Sequence, residues 1–280
     1  MENFKVGIAL SGGGLCGVAH IGFLKALEEK NIQIDMVAGT SMGSVIGGLY
    51  ASGWKVSDME KEIYNISKND IVQINFLKLL KEGLVSTKRL KKTLQKFLKV
   101  ENFEDTKIEF CAQAVDLMKG KLVTFDKGSL VDAILASSAI PGIFPPVKKD
   151  NTLYIDGGYM RNIPYTALKE KGADVVIAVN CLNEHSLDEA PKNIFSLLTN
   201  TFNLMICDTW KNQRDNDKGV YDIFCNDNTP GVTQIDVDFK KIGLLIESGY
   251  KSGLKYADKI KEIIKNKKNL SKTLDYSLEM

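Results

Sequence analysis

Histidine is scarce in this chain. There are two in 280 residues, His20 and His185, so chemistry that needs several imidazoles is excluded. His20 lies in the helical stretch Cys16-Gly17-Val18-Ala19-His20, close behind a glycine turn. His185 lies in the polar run Asn183-Glu184-His185-Ser186. Where serine, acid and histidine form a triad in an α/β-hydrolase, the histidine comes last in the chain. No histidine here follows a convincing acid, so a triad is not expected. The five cysteines (Cys16, Cys111, Cys181, Cys207 and Cys225) have no C-x-x-C spacing and mostly apolar flanks. They read as reduced core thiols of a cytosolic protein, and neither a metal site nor a cofactor motif is expected. No run of 18 apolar residues occurs, so no segment reads as membrane-spanning. The chain passes almost at once into a strand-like run, leaving no room for a signal peptide. A net charge of +2 is too small to suggest nucleic acid. Internal repeats and low-complexity linkers are lacking too.

What is present is enough apolar material for one sizeable core: 44% of the residues are hydrophobic. Periodicity places strands at 5–10, 36–39, 108–115, 121–125, 153–156, 175–180, 221–224 and 234–237. Helices are expected at 15–30, 42–52, 129–137, 164–171, 192–215 and near the end, with a helical insertion over 56–100. This alternation implies an α/β protein, a three-layer α/β/α sandwich around a mainly parallel sheet. The domain is expected to run over 1–265, followed by a polar tail over 266–280.

Gly39-Thr40-Ser41-Met42-Gly43 is a G-x-S-x-G element that follows the apolar run Met36-Val37-Ala38 and precedes a small-residue helix pattern. Strand, sharp turn and helix are the context in which such a serine is held strained, with its hydroxyl exposed at the end of a sheet. Gly39 and Gly43 are required because the chain crowds itself on either side of the serine. Ser41 is the candidate nucleophile, and it needs a base and a site for the oxyanion.

Behind the strand-like Val6–Leu10, the run Ser11-Gly12-Gly13-Gly14-Leu15-Cys16-Gly17 opens a helix. Consecutive glycines let several N–H groups converge on one anion. Gly12, Gly14 and Gly17 also satisfy G-x-G-x-x-G, a dinucleotide fingerprint. That reading demands an acid about 20 residues on, at the carboxyl end of the second strand. Asp35 has the spacing but precedes its strand, so it belongs at the opposite end of the sheet. The oxyanion reading of this loop therefore prevails.

The third element is Asp156-Gly157-Gly158, running on to Arg161-Asn162-Ile163-Pro164. Upstream lies Ala136-Ser137-Ser138-Ala139-Ile140-Pro141-Gly142-Ile143-Phe144-Pro145-Pro146-Val147, which holds three of the chain's six prolines. That stretch reads as a rigid, mostly apolar connection able to position the loop after it.

These pieces, in this order, resemble the patatin-like phospholipases: GGGLCG, GTSMG, ASSAIPGIFPPV and DGGYMRNIP stand where that family has its motifs. The match is dense over about residues 5–180 and looser through 232–263. The resemblance implies a patatin-like fold, a lipid or acyl-ester substrate, Ser41 as nucleophile, Asp156 as its only side-chain partner, and the Gly12, Gly13 and Gly14 amides as the oxyanion hole. It implies no cofactor. Cys16 departs from the family, which usually has Arg or Lys there, so a fixed positive charge beside the glycine loop is missing. An aspartate at its ordinary pKa of about 4 is a weak base for a hydroxyl, so the glycine amides are expected to carry much of the burden. An active phospholipid or lysophospholipid acyl hydrolase and a non-catalytic lipid-binding protein of the same fold both remain open.

Phe76 to Val100 interleaves leucines and phenylalanines with Lys78, Lys81, Lys88, Lys91, Lys92 and Lys96. It reads as a basic amphipathic cap, and as a candidate for peripheral contact with an anionic bilayer. The C-terminal lysine-rich helix reads as a solvated face.

Overall fold

The computed structural model describes residues 4–69, 87–182, 190, 194–226 and 239–278. Its centre is an eight-stranded mixed sheet. Strands β1 (Val6–Leu10), β2 (Met36–Thr40) and β7 (Val175–Asn180) are buried at every residue. Covered on both faces by helices, they are continuous apolar runs rather than alternating ones. β3 (Glu109–Asp116), β1, β2, β7 and β8 (Ile223–Asn226) run parallel in the order β3-β2-β1-β7-β8. β4 (Lys121–Phe125), β5 (Val147–Lys149) and β6 (Thr152–Asp156) add antiparallel pairs beside β3.

The register at β3 positions the site. β2 pairs with Glu109 to Gln113, and β6 pairs antiparallel with Ala114 to Asp116. β4 pairs with Ala112 to Asp116 and so overlaps both. A strand has two edges, so β2 and β6 must share the one that β4 leaves. They approach head-on along it, and the carboxyl end of β2 at Thr40 meets the carboxyl end of β6 at Asp156.

Helices α1 (Ala19–Glu29), α2 (Met42–Ala51), α3 (Val56–Asn69), α4 (Thr87–Phe97), α5 (Leu130–Ser137), α6 (Tyr165–Glu170), α7 (Ile194–Asn216) and α8 (Ile242–Leu278) complete the layers. α1 and α8 pack closely because glycines leave room. A Cβ on Gly22 would strike the Ile246 carbonyl, and one on Gly249 the Ala19 carbonyl.

The expected elements are found, with three differences. β5 was not foreseen, since three residues that are only partly covered give no periodic signal. α8 runs unbroken from Ile242 to Leu278, so most of the stretch expected as a polar tail is helix. The strand expected at 234–237 and the first half of the basic stretch, 76–86, lie outside the described residues. No described helix is long and apolar enough to cross a membrane.

Candidate active site

Ser41 follows β2 and is the N-cap of α2, with φ 52° and ψ −125°. A positive φ at a residue with a Cβ costs on the order of 1–3 kcal/mol, and the surroundings hold it there. A Cβ on Gly39 would lie 2.5 Å from the Gly43 carbonyl oxygen, and one on Gly43 would strike the Leu10 and Ser11 carbonyls. The crowding read from the sequence is therefore real on both sides of the turn. The Ser41 N–H donates to Ser137 Oγ at 2.9 Å, and Ser137 Oγ donates to the Gln113 carbonyl at 2.7 Å. Ser137 thus ties the turn to the point on β3 where β2 and β6 meet. At the start of α2, the helix dipole favours negative charge on the serine.

Asp156 stands across from Ser41 at the end of β6 and is buried. Its N–H donates to the Ala139 carbonyl at 3.1 Å, so the proline-rich connection fixes it as expected. Oδ1 accepts from Gly158 N at 2.8 Å. Oδ2 has no hydrogen bond of regular geometry among the described residues. The Ser41 hydroxyl nonetheless lies close enough to lower the carboxyl's pKa. Burial outweighs both hydrogen-bonding influences and pushes Asp156 up to about 7. The weak base expected from an ordinary aspartate is thus corrected. Desolvation brings the carboxylate to a basicity suited to taking a proton near neutral pH.

The glycine loop needs a second correction. The Gly12 N–H donates to the Asn162 carbonyl at 3.1 Å, so it does not face an oxyanion. Gly12 is needed for space instead: a Cβ there would lie 2.7 Å from Asn162 Oδ1 and 3.1 Å from Ser41 Cβ. The N–H groups of Gly13 and Gly14 meet no acceptor among the described residues. Ser11 and Cys181 hold the loop from behind. Cys181 N donates to Ser11 Oγ at 3.1 Å, and a Cβ on Gly13 would press on Cys181 Sγ.

His20 supports this loop rather than the nucleophile. Its Nε2 meets the Ser11 carbonyl at 2.9 Å, and burial lowers its pKa to about 4, so the ring is neutral. His185 lies outside the described residues. Cys16 is buried, as expected of a packing residue. Asp35 pairs with Val6 at the amino end of β1, far from the glycine loop, which removes the dinucleotide reading.

Two contributors were missed in the sequence. Gln213 on α7 is buried; its Oε1 accepts from Asn162 N at 3.1 Å and Ile163 N at 3.3 Å, and its Nε2 donates to the Ile163 carbonyl at 3.0 Å. It clamps the loop that follows Asp156. The signal was available: Gln213 is a polar residue on the stripe Asn203, Ile206, Trp210 that faces inward. The second contributor is a roof. Phe202, Asn203 and Ile206 of α7, with Ile140 and Ile143, wall a partly open pocket over Ser41 and Asp156. Phe202 stacks on Tyr159, with ring centroids 4.1 Å apart.

Among the described residues a strained serine and a buried aspartate line one pocket, with no imidazole among its lining residues. The chain belongs to the patatin-like phospholipase family, whose model matches residues 8–169. An uncharacterised NTE family protein of Mycobacterium bovis is 33% identical over 176 residues, which is 63% of this chain and 49% of that protein. Lysophospholipase NTE1 of Meyerozyma guilliermondii is 29% identical over 187 residues, 64% of this chain and 13% of that one. The chain therefore spans about half the length of the mycobacterial relative, and much less of the yeast one. VipD from Legionella pneumophila shares the fold, with a TM-score of 0.56 at 16% identity, over 92% of this chain and 67% of that one.

Proposed function

We propose that this chain is a serine acyl hydrolase that cleaves carboxylic ester bonds of lipids, phospholipid or lysophospholipid, through Ser41 and Asp156. The observation that carries the reading is the strained Ser41 facing a buried carboxylate whose pKa is raised to about 7. Family membership and the lysophospholipase named among the relatives support it.

Ser41 Oγ attacks the ester carbonyl carbon while Asp156 takes its proton. The tetrahedral oxyanion is met by the Gly13 and Gly14 N–H groups and the positive end of α2. Collapse breaks the C–O bond, and Asp156 returns the proton to the departing alcohol. A water molecule, deprotonated by the same carboxylate, then attacks the acyl-enzyme and releases the fatty acid with Ser41 restored. Ile140, Ile143, Phe202 and Ile206 supply an apolar wall suited to an acyl chain.

A fluorophosphonate probe should label the wild type and leave Ser41→Ala unlabelled, and turnover of a lysophospholipid should fall by at least about a thousandfold in that variant. Equal labelling of the two proteins would remove Ser41 from the mechanism.

A further inference from the structure

The roof helix has two apolar faces. Toward the site, Asn203, Ile206, Trp210 and Gln213 are buried at helical spacing. Away from it, Ile194, Leu197, Leu198, Leu204 and Met205 are exposed, Leu198 at 62% and Met205 at 49%. From Ile194 to Cys207 the helix contains no charged residue. A surface helix normally turns a polar face to water, so a contiguous uncharged stripe marks an interaction surface.

Met160, next to the Tyr159 that stacks on Phe202 of α7, is exposed as well. The turn after β3 also exposes Leu117 and Met118, but Lys119 beside them is 73% exposed, so that turn is not part of the uncharged face.

We propose that the outer face of α7, with Met160, is a docking surface for a neutral phospholipid bilayer. The proposal rests on the reading of the chain as a lipid acyl hydrolase, which makes the bilayer the source of substrate. A bilayer suits this face because it is apolar and uncharged and lies directly over the catalytic pair. Phe202, Asn203 and Ile206 on the inner side of α7 line the pocket over Ser41 and Asp156, so a lipid surface on the outer stripe lies beside that pocket.

The test uses the full chain and vesicles of pure phosphatidylcholine. The wild type should sediment with them at low and high salt alike. In Leu198→Trp, the added fluorescence should shift to the blue when vesicles are mixed in, with the unaltered chain as blank. The triple variant Leu197→Gln, Leu198→Gln, Met205→Gln should lose vesicle affinity by about tenfold or more. It should keep its far-ultraviolet circular dichroism and its rate on a short soluble ester, since none of the three residues lines the cavity. Unchanged vesicle binding by the triple variant overturns the proposal. So does binding that requires phosphatidylglycerol and vanishes with salt. A wild-type dimer that becomes monomeric in the triple variant, with vesicle binding unaltered, assigns the stripe to a second copy instead. Vesicle binding without hydrolysis of any lipid would fail the hydrolase reading and leave the docking face standing; soluble-ester hydrolysis without vesicle binding would do the reverse.

Discussion

Asp156 is where function and stability pull apart. Its folded pKa of about 7 lies above its ordinary 3.8 because burial disfavours the charged form. Below pH of about 4 the group is neutral whether folded or unfolded, and it costs nothing. As pH rises from about 4 to 7 the unfolded chain releases the proton first, so the fold loses stability across that window and pays the full cost above it. Asp156→Asn mimics the neutral form and keeps an acceptor for Gly158. It should therefore be more stable than wild type at pH 8, by on the order of 2–4 kcal/mol, and nearly match it at pH 4. Thermal melts at the two pH values check this. Wild-type turnover should rise with pH through about 7 and then level off, because the base must be deprotonated. A residue's type was legible in the sequence here; its pKa was not. Burial of a carboxylate depends on what packs over it, and the α7 roof is contributed from far along the chain.

At the scale of elements, the motifs identify the turns but not the ties between them. Ser41, Gly39 and Gly43 were readable because a tight strand-to-helix turn demands those residue types locally. Gly12 was misread as a donor because its N–H acceptor, Asn162, is a distant residue that only β-sheet register brings near. Gln213 shows what such ties contribute. Gln213→Ala would leave the Asn162 and Ile163 amides and the Ile163 carbonyl buried without partners, a cost of about 2–4 kcal/mol. The Asp156 loop should loosen, and kcat should fall while KM changes little. Gln213→Glu, which can still accept from both amides, should recover part of the lost kcat. Steady-state kinetics of the two variants separates this clamp from a general loss of packing, which would leave both equally impaired.

For the whole molecule, the sandwich and its parallel centre followed from the alternation of apolar runs, whereas the docking side proposed above did not. Charge drew attention to the lysines of Phe76 to Val100, yet Lys91 is committed to Asp132 at 2.6 Å, in the first turn of α5. α5 ends at Ser137 beside the nucleophile, so its first turn points away from the site. Reversing charge at Lys91 and Lys92 should cost about 1 kcal/mol or less of stability and leave binding to neutral vesicles unaltered in a sedimentation assay. The shared edge of β3 has a consequence for the making of the protein. Ser41 emerges from the ribosome long before Asp156, and the two become neighbours only when β3 has accepted β2 on one half of its edge and β6 on the other. Pairings between such distant segments close late in folding. A nascent chain that ends short of β6 holds Ser41 without Asp156, so under the proposed mechanism an unfinished copy lacks half of the hydrolytic pair.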